Sequence, residues 1–205
     1  MESVKVDLKL FLQEASRVDS EEFIPVFHDW IQNQRLDELL IDVVDYRHVH
    51  DGPGVILIAH DAHYAIDTSE GRLGLLYSRR RETHPTRSAI QGGTERLHSV
   101  VQCALQAGLA LENEPSLRGR LKFRGDEFLL RINDRQVSPS LEAVDDLKAQ
   151  IQPLLGSLYP HGPVAVEGNG RADSRLSITI KASEDPDVAT LYGRLGESGV
   201  AAAAG

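Results

Sequence analysis

The chain of 205 residues contains one cysteine, and it has no apolar run of the length that a membrane helix requires. A single cysteine cannot form an internal disulfide. A membrane-spanning helix needs about 18 or more mostly apolar residues, so we expect no membrane partner. The first residues also lack the basic start and apolar run of a secretory signal. Together these absences predict a cytoplasmic protein.

Positive charge is scarce as well. The chain has 22 lysine and arginine residues against 31 aspartate and glutamate residues, a formal net charge of −9. Such a chain repels nucleic acid and acidic lipid at long range, so neither is an expected partner. The Walker loop, the Rossmann glycine pattern, the serine nucleophile elbow and the cysteine-pair zinc site are all missing. The commonest sequence signatures of enzymes are therefore absent.

What is present is a hydrophobic pattern typical of a globular domain, with 41% apolar and 26% charged residues. Strict alternation in "VKVDLKLFL" predicts a half-buried strand, and helical spacing of apolar residues predicts helices, for example in "ERLHSVVQCALQAGL". The predicted order is β-α-β-β-β-β-α-β-β-α-β-β-α. Because hairpins dominate this order, we expect an α+β fold of mainly antiparallel sheet with the helices packed on one face.

Composition suggests how the chain is divided. The polar residues 83–93 are the best candidate for a loop or linker, which would separate an N-terminal half (1–82) from a C-terminal half (94–196). A single domain over 1–196 is the alternative. The low-complexity residues 197–205 are expected to be a disordered tail.

Four of the eight histidines lie between residues 45 and 67, close to several aspartates. If 41–49 and 54–61 form a tight hairpin, Asp45 faces His60, and His48 lies about 10 Å from His60. The histidines then split into two groups. The tighter group could act in a metal-dependent hydrolase, with zinc or another divalent ion as cofactor. Its catalytic candidates are Asp45, His60, Asp61 and His63, and its metal-ligand candidates are His60, Asp61 and His63. The alternative is a hairpin in which these histidines are structural.

Two basic patches stand out on this acidic chain. Alternation over residues 118–124 predicts a strand with a cationic face, which later strands extend with Arg175 and Lys181. A loop after residue 78 forms the second patch. These patches would bind another protein or an anionic ligand, although charged strand faces also protect sheets from aggregation. The partner-binding candidates are Arg79, Arg80, Arg81, Arg87, Arg118, Arg120, Lys122, Arg124 and Arg131, with Arg135 as a less secure member.

The stretch "RGDEF" (124–128) resembles the Gly-Gly-Asp-Glu-Phe signature loop of diguanylate cyclases, and "LIDVVDYRHVHD" is distantly similar to the metal-binding strand of that family. The resemblance implies a degenerate nucleotide-binding domain in which Asp126 and Glu127 are the metal-binding and catalytic carboxylates. Arg124 departs from the family pattern because it replaces the first glycine, and the upstream strand lacks the family's paired Asp-x-Asp.

The sequence therefore favours a non-enzymatic binding or adaptor protein without a cofactor, which uses a basic sheet face or the arginine-rich loop. The metal-dependent hydrolase is the main alternative, and the nucleotide-binding domain is a remote one. Pairing of two copies through a sheet edge would give a homo-oligomer, and the sequence leaves that open.

Overall fold

The computed structural model describes residues 5–50, 52–80, 93–134, 137–169 and 175–203. Within these ranges the chain forms strands β1 (Val6–Leu12), β2 (Leu40–Asp45), β3 (Val55–Ala59), β4 (Ala62–Asp67), β5 (Gly74–Arg79), β6 (Phe123–Ile132), β7 (Val164–Asn169) and β8 (Ser177–Ala182). The helices are α1 (Phe23–Asn33), α2 (Gly93–Glu112), α3 (Leu141–Leu158) and α4 (Val188–Ala203).

All eight strands belong to one sheet, in the order β2-β3-β4-β5-β1-β6-β8-β7. Every neighbouring pair in this order is antiparallel. The α+β fold with an antiparallel sheet is thus confirmed. Strand β1 lies between β5 and β6, so strands from both sides of the predicted linker 83–93 join one sheet. Residues 83–92 of that linker lie outside the described residues.

The helices pack on one face of the sheet. Leu8 of β1 pairs with Tyr77 of β5 and Leu130 of β6, and all three side chains are buried in the core beneath α2 and its neighbours. Gly108 lets α2 approach β1 closely, since a Cβ there would lie 3.0 Å from the Leu10 side chain. None of the described helices is long and apolar enough to cross a bilayer.

The opposite face, called the outer face below, carries an unexpected buried charge. Lys9 points to the outer face but is 0% exposed, because the β4–β5 connection (68–73) folds over it. Its ammonium lies 2.5 Å from the Asp67 carboxylate and donates to the carbonyl oxygens of Ser69 and Arg72 at 2.6 and 2.8 Å. A buried ion pair is tolerated only when its remaining donors are satisfied, as they are here.

Two expectations from the sequence differ from the structure. The stretch "RLKFRGDEFLLRI" predicts a hairpin with a tight turn near Gly125 and Asp126. This prediction is wrong, because β6 runs through both residues without a break. Gly125 serves close packing instead, since a Cβ there would lie 1.6 Å from the Pro186 carbonyl oxygen. Residues 197–203, expected to be disordered, continue helix α4, which suits their alanine-rich sequence.

The Lys9–Asp67 pair gives a first prediction. Lys9→Met removes the cation but leaves a buried carboxylate, so we expect the free energy of unfolding to fall by about 3–5 kcal/mol. Adding Asp67→Leu removes the stranded charge and should recover most of that loss. Urea unfolding of the single and double variants measures both values. A double variant no more stable than Lys9→Met would show that the pair itself stabilises the fold.

Candidate functional site

The histidine hairpin has a different register from the predicted one. Asp45 pairs with Val55, and the backbone N–H of His60 donates to the Leu39 carbonyl at the other end of the same strand pair. The prediction that Asp45 faces His60 is therefore wrong. The tight four-residue turn that it assumed is replaced by the longer connection 46–54, which moves the pairing by several residues.

The four members of the predicted group do not form one site. The carboxylate of Asp45 accepts two side-chain hydrogen bonds from Arg47, and this guanidinium lowers the pKa of Asp45 to about 2. His60 and Asp61 contact each other at 2.8 Å on the exposed surface. Among the described residues, no group of three histidine, cysteine or acidic side chains is placed to hold a metal ion.

The predicted cationic strand face also rearranges. Arg118, Arg120 and Lys122 all precede β6, which begins at Phe123, so the prediction that they line a strand is wrong. The following cations are paired with carboxylates: Arg120 with Glu22 at 2.6 Å, Lys122 with Glu112 at 2.6 Å, and Arg124 with Asp126 at 2.7 Å. These ion pairs offset much of the positive charge that the sequence pattern suggested.

Arg79, predicted as a binding residue, is almost completely buried, so little of its side chain is open to a partner. Its side chain turns to the helix side of the sheet, because Arg79 pairs with buried Val6, and it is only 9% exposed. The guanidinium donates to the Tyr77 hydroxyl at 2.7 Å and lies 3.5 Å from the Glu38 carboxylate and 3.4 Å from the Cys103 sulfur. Burial raises the pKa of Cys103, which favours an unreactive thiol. Arg81, Arg87 and Arg135 lie outside the described residues.

The two carboxylates of the "RGDEF" stretch are engaged in ion pairs within and beside β6. Arg124 holds Asp126, and Arg72 forms two hydrogen bonds with Glu127 at 2.8 and 3.0 Å. Because the stretch is a continuous strand here, the turn that the diguanylate cyclase signature would form is missing. The expectation that Asp126 and Glu127 bind a metal loses its structural basis.

The sheet does bring together a polar group that the sequence analysis did not assemble. On the outer face, His63 of β4 pairs with Ser78 of β5, Ser78 with Asp7 of β1, and Asp7 with Arg131 of β6. Three further cations lie near this row. We call the whole group the outer-face patch: Lys5, Asp7, His63, Ser78, Arg80, Arg131 and Arg175.

Asp7 is the buried centre of this patch, with 2% of its surface exposed. Burial raises its pKa, and the Ser78 hydroxyl and the Arg131 guanidinium oppose that rise. Its Oδ1 atom has no hydrogen-bond partner among the described residues. A carboxylate that is buried but incompletely bonded is costly to keep ionised.

His63 stands on the other side of Ser78. Its Nε2 atom accepts a hydrogen bond from Arg80 at 3.0 Å, which places the ring proton of a neutral imidazole on Nδ1. Burial, and then the charges of Arg80 and Lys5, lower the pKa of His63, so the ring is neutral at pH 7. Lys5 and Arg80 beside His63, together with Arg131 and Arg175 beside Asp7, therefore give the outer-face patch an excess of positive charge.

Comparison with known proteins supplies no family, since no family model and no curated protein matches the chain. The assignment of a site therefore depends on the geometry alone. Arg80 and Arg131 were among the predicted binding residues, and the structure places both in the outer-face patch. Lys5 and Asp7 were missed as site residues, because alternation within one strand cannot show which neighbouring strands complete the row.

The raised pKa of Asp7 yields a prediction of pH dependence. Ionised Asp7 destabilises the fold at pH 7, and this cost disappears as the pH falls through its raised pKa. The free energy of unfolding of Asp7→Asn should therefore exceed that of the wild type at pH 7. The difference between the two proteins should become smaller toward pH 4. Urea unfolding at both pH values tests this, with the shared contribution of His63 cancelling between the two proteins. If the difference in free energy of unfolding became larger at pH 4, the raised pKa of Asp7 would be contradicted.

Proposed function

We propose that this protein is a non-enzymatic binding protein that recognises an acidic segment of another protein through the outer-face patch. The proposal depends on one observation. Four cations from different strands lie close together at one end of the outer face: Lys5, Arg80, Arg131 and Arg175. Positive charge concentrated on an acidic chain attracts an anionic partner while the rest of the surface repels it.

The surroundings of the patch favour a protein over a small anion. The same face carries half-buried aliphatic side chains next to the polar row, at Val44, Ile56, Ile58 and Leu76. An apolar area beside a charged one resembles the mixed composition of ordinary protein interfaces. Nucleic acid is less well supported, because the one aromatic side chain that β1 turns to this face, Phe11, is buried under Arg72.

The hydrogen bonds within the patch favour binding over catalysis. Ser78 lies between a histidine and an aspartate, as a nucleophilic serine could. The His63 Nε2 atom already accepts from Arg80, and its Nδ1 atom is buried. His63 therefore has no accessible basic nitrogen with which to deprotonate a serine, as nucleophilic catalysis requires.

Charge reversal at the exposed members of the patch tests the proposal. We expect Lys5→Glu combined with Arg175→Glu to weaken binding of a fluorescent oligoglutamate peptide at least about tenfold, since each reversal turns attraction into repulsion. The control is Arg35→Glu combined with Arg118→Glu, which changes the net charge equally at exposed arginines elsewhere. Fluorescence anisotropy at low and moderate salt gives the affinities. An equal loss of affinity in both double variants would show a general effect of net charge and would contradict binding at the outer-face patch.

A further inference from the structure

Exposed apolar residues cluster within and on both sides of the edge strand β2, and the proposed function does not use them. Five large apolar side chains are exposed among the described residues, and four of them lie between residues 39 and 49. These four, Leu39, Ile41, Tyr46 and Val49, are between 40% and 59% exposed. Because β2 is the last strand of the sheet, one of its backbone edges is unpaired with any other described strand. Exposed apolar residues on such an edge mark a surface for strand addition.

The backbone of β2 shows which groups face outward. The Tyr46 N–H donates to the Gly54 carbonyl at 2.8 Å, so Tyr46 faces β3, and alternation turns the N–H groups of Val43 and Asp45 toward the free edge. The Val43 N–H is instead covered by the Oδ1 atom of the neighbouring Asp42, at 2.8 Å. A register shift between Leu40 and Asp42 marks a bulge beside it. The edge is thus protected by its own side chain and by no other described strand.

The charge around β2 indicates what could occupy this edge. Residues 36–46 contain four carboxylates, and two of them, Glu38 and Asp45, lie against Arg79 and Arg47. Asp37 and Asp42 remain without an ion pair among the described residues. Asp42 is exposed, and its carboxylate is engaged only with the adjacent backbone among the hydrogen bonds described. An incoming strand with cationic side chains would meet complementary charge here.

We propose that β2 accepts an extended segment of a partner protein, in which apolar and cationic residues alternate, as a ninth strand of the sheet. On binding, a carbonyl of the segment takes the Val43 N–H, and the released Asp42 carboxylate pairs with a lysine or arginine of the segment. The apolar side chains of the segment cover Leu39 and Ile41. Main-chain hydrogen bonds supply affinity, and the alternating side chains supply specificity.

A second copy of the chain fits this edge less well. Antiparallel pairing of two β2 strands about Val43 would place the two Asp42 side chains diagonally across the new strand pair, at about 7–8 Å. Like charges at that distance oppose association. The occupant is therefore a segment of opposite charge.

The test uses the full chain and a fluorescent peptide of about nine alternating valine and lysine residues, a normal strand length. We expect Val43→Pro, which removes the outward N–H, to weaken binding at least tenfold by anisotropy. Ile41→Lys should weaken it similarly, because it adds repulsion at an exposed position and leaves the core intact. Leu141→Lys is the matched control at an exposed leucine on α3 (79% exposed), and it should bind as the wild type does.

Several results would overturn the proposal. One is the absence of binding by the wild type at about 1 mM peptide, the weakest useful range. A second is equal binding by Ile41→Lys and Leu141→Lys, which would show a general attraction to an acidic protein. A third is a wild-type dimer in sedimentation that Val43→Pro dissociates, which would make a second copy the occupant. The charge reversals at Lys5 and Arg175 lie beside β1 and β8, four or more strand positions from β2, so the proposed function can fail independently.

Discussion

The buried ion pair between Lys9 and Asp67 is the constraint on which the outer face depends. An ammonium without solvent needs several acceptors, which come from Asp67 at the end of β4 and from the β4–β5 connection. That requirement holds the connection across β1. It also places Arg72 with its guanidinium carbon 3.6 Å from the centre of the Phe11 ring, in reach of Glu127 on β6. One lysine in a central strand thereby links β4, β5, β1 and β6 on the side where no described helix packs.

Both faces of the sheet contain charged side chains that are buried beside apolar core residues. On the helix side, Arg79 is surrounded by Tyr77, Glu38 and the end of the cysteine side chain on α2. On the outer side, Asp7 and Lys9 lie in the same strand as the core residues Leu8 and Leu10. A shift of one residue in the pairing of β1 would move both charges into the apolar core. The alternation of β1 therefore fixes its register through polar as well as apolar residues.

Much of the fold could be predicted from periodicity, because strands and helices bury residues with different spacing. The buried alternate positions of β1 and the apolar stripe of α2 were both recognisable in this way. Sequence analysis failed where the partner of a residue is distant along the chain. Lys9 fits an exposed strand face until the β4–β5 connection covers it. The sequence is compatible with a pairing of Asp45 with His60, but the length of the hairpin connection sets a different register. Arg120 is part of a cationic pattern in the sequence, but in the structure its charge is paired with Glu22. The tertiary neighbour decided the environment of Lys9, whereas for Asp45 and Arg120 the predicted local structure, a tight hairpin and a strand, was itself wrong.

The position of β1 has a consequence for how the chain acquires its structure. Val6 pairs with Arg79 on one side and with Ile132 on the other. The ends of long loops must therefore meet before the centre of the sheet is complete, which slows folding through loop-closure entropy. While the chain is being synthesised, the first five strands can assemble, but one edge of β1 stays unpaired until β6 emerges. The strand that is most deeply buried in the finished protein is thus also an aggregation-prone edge during its synthesis.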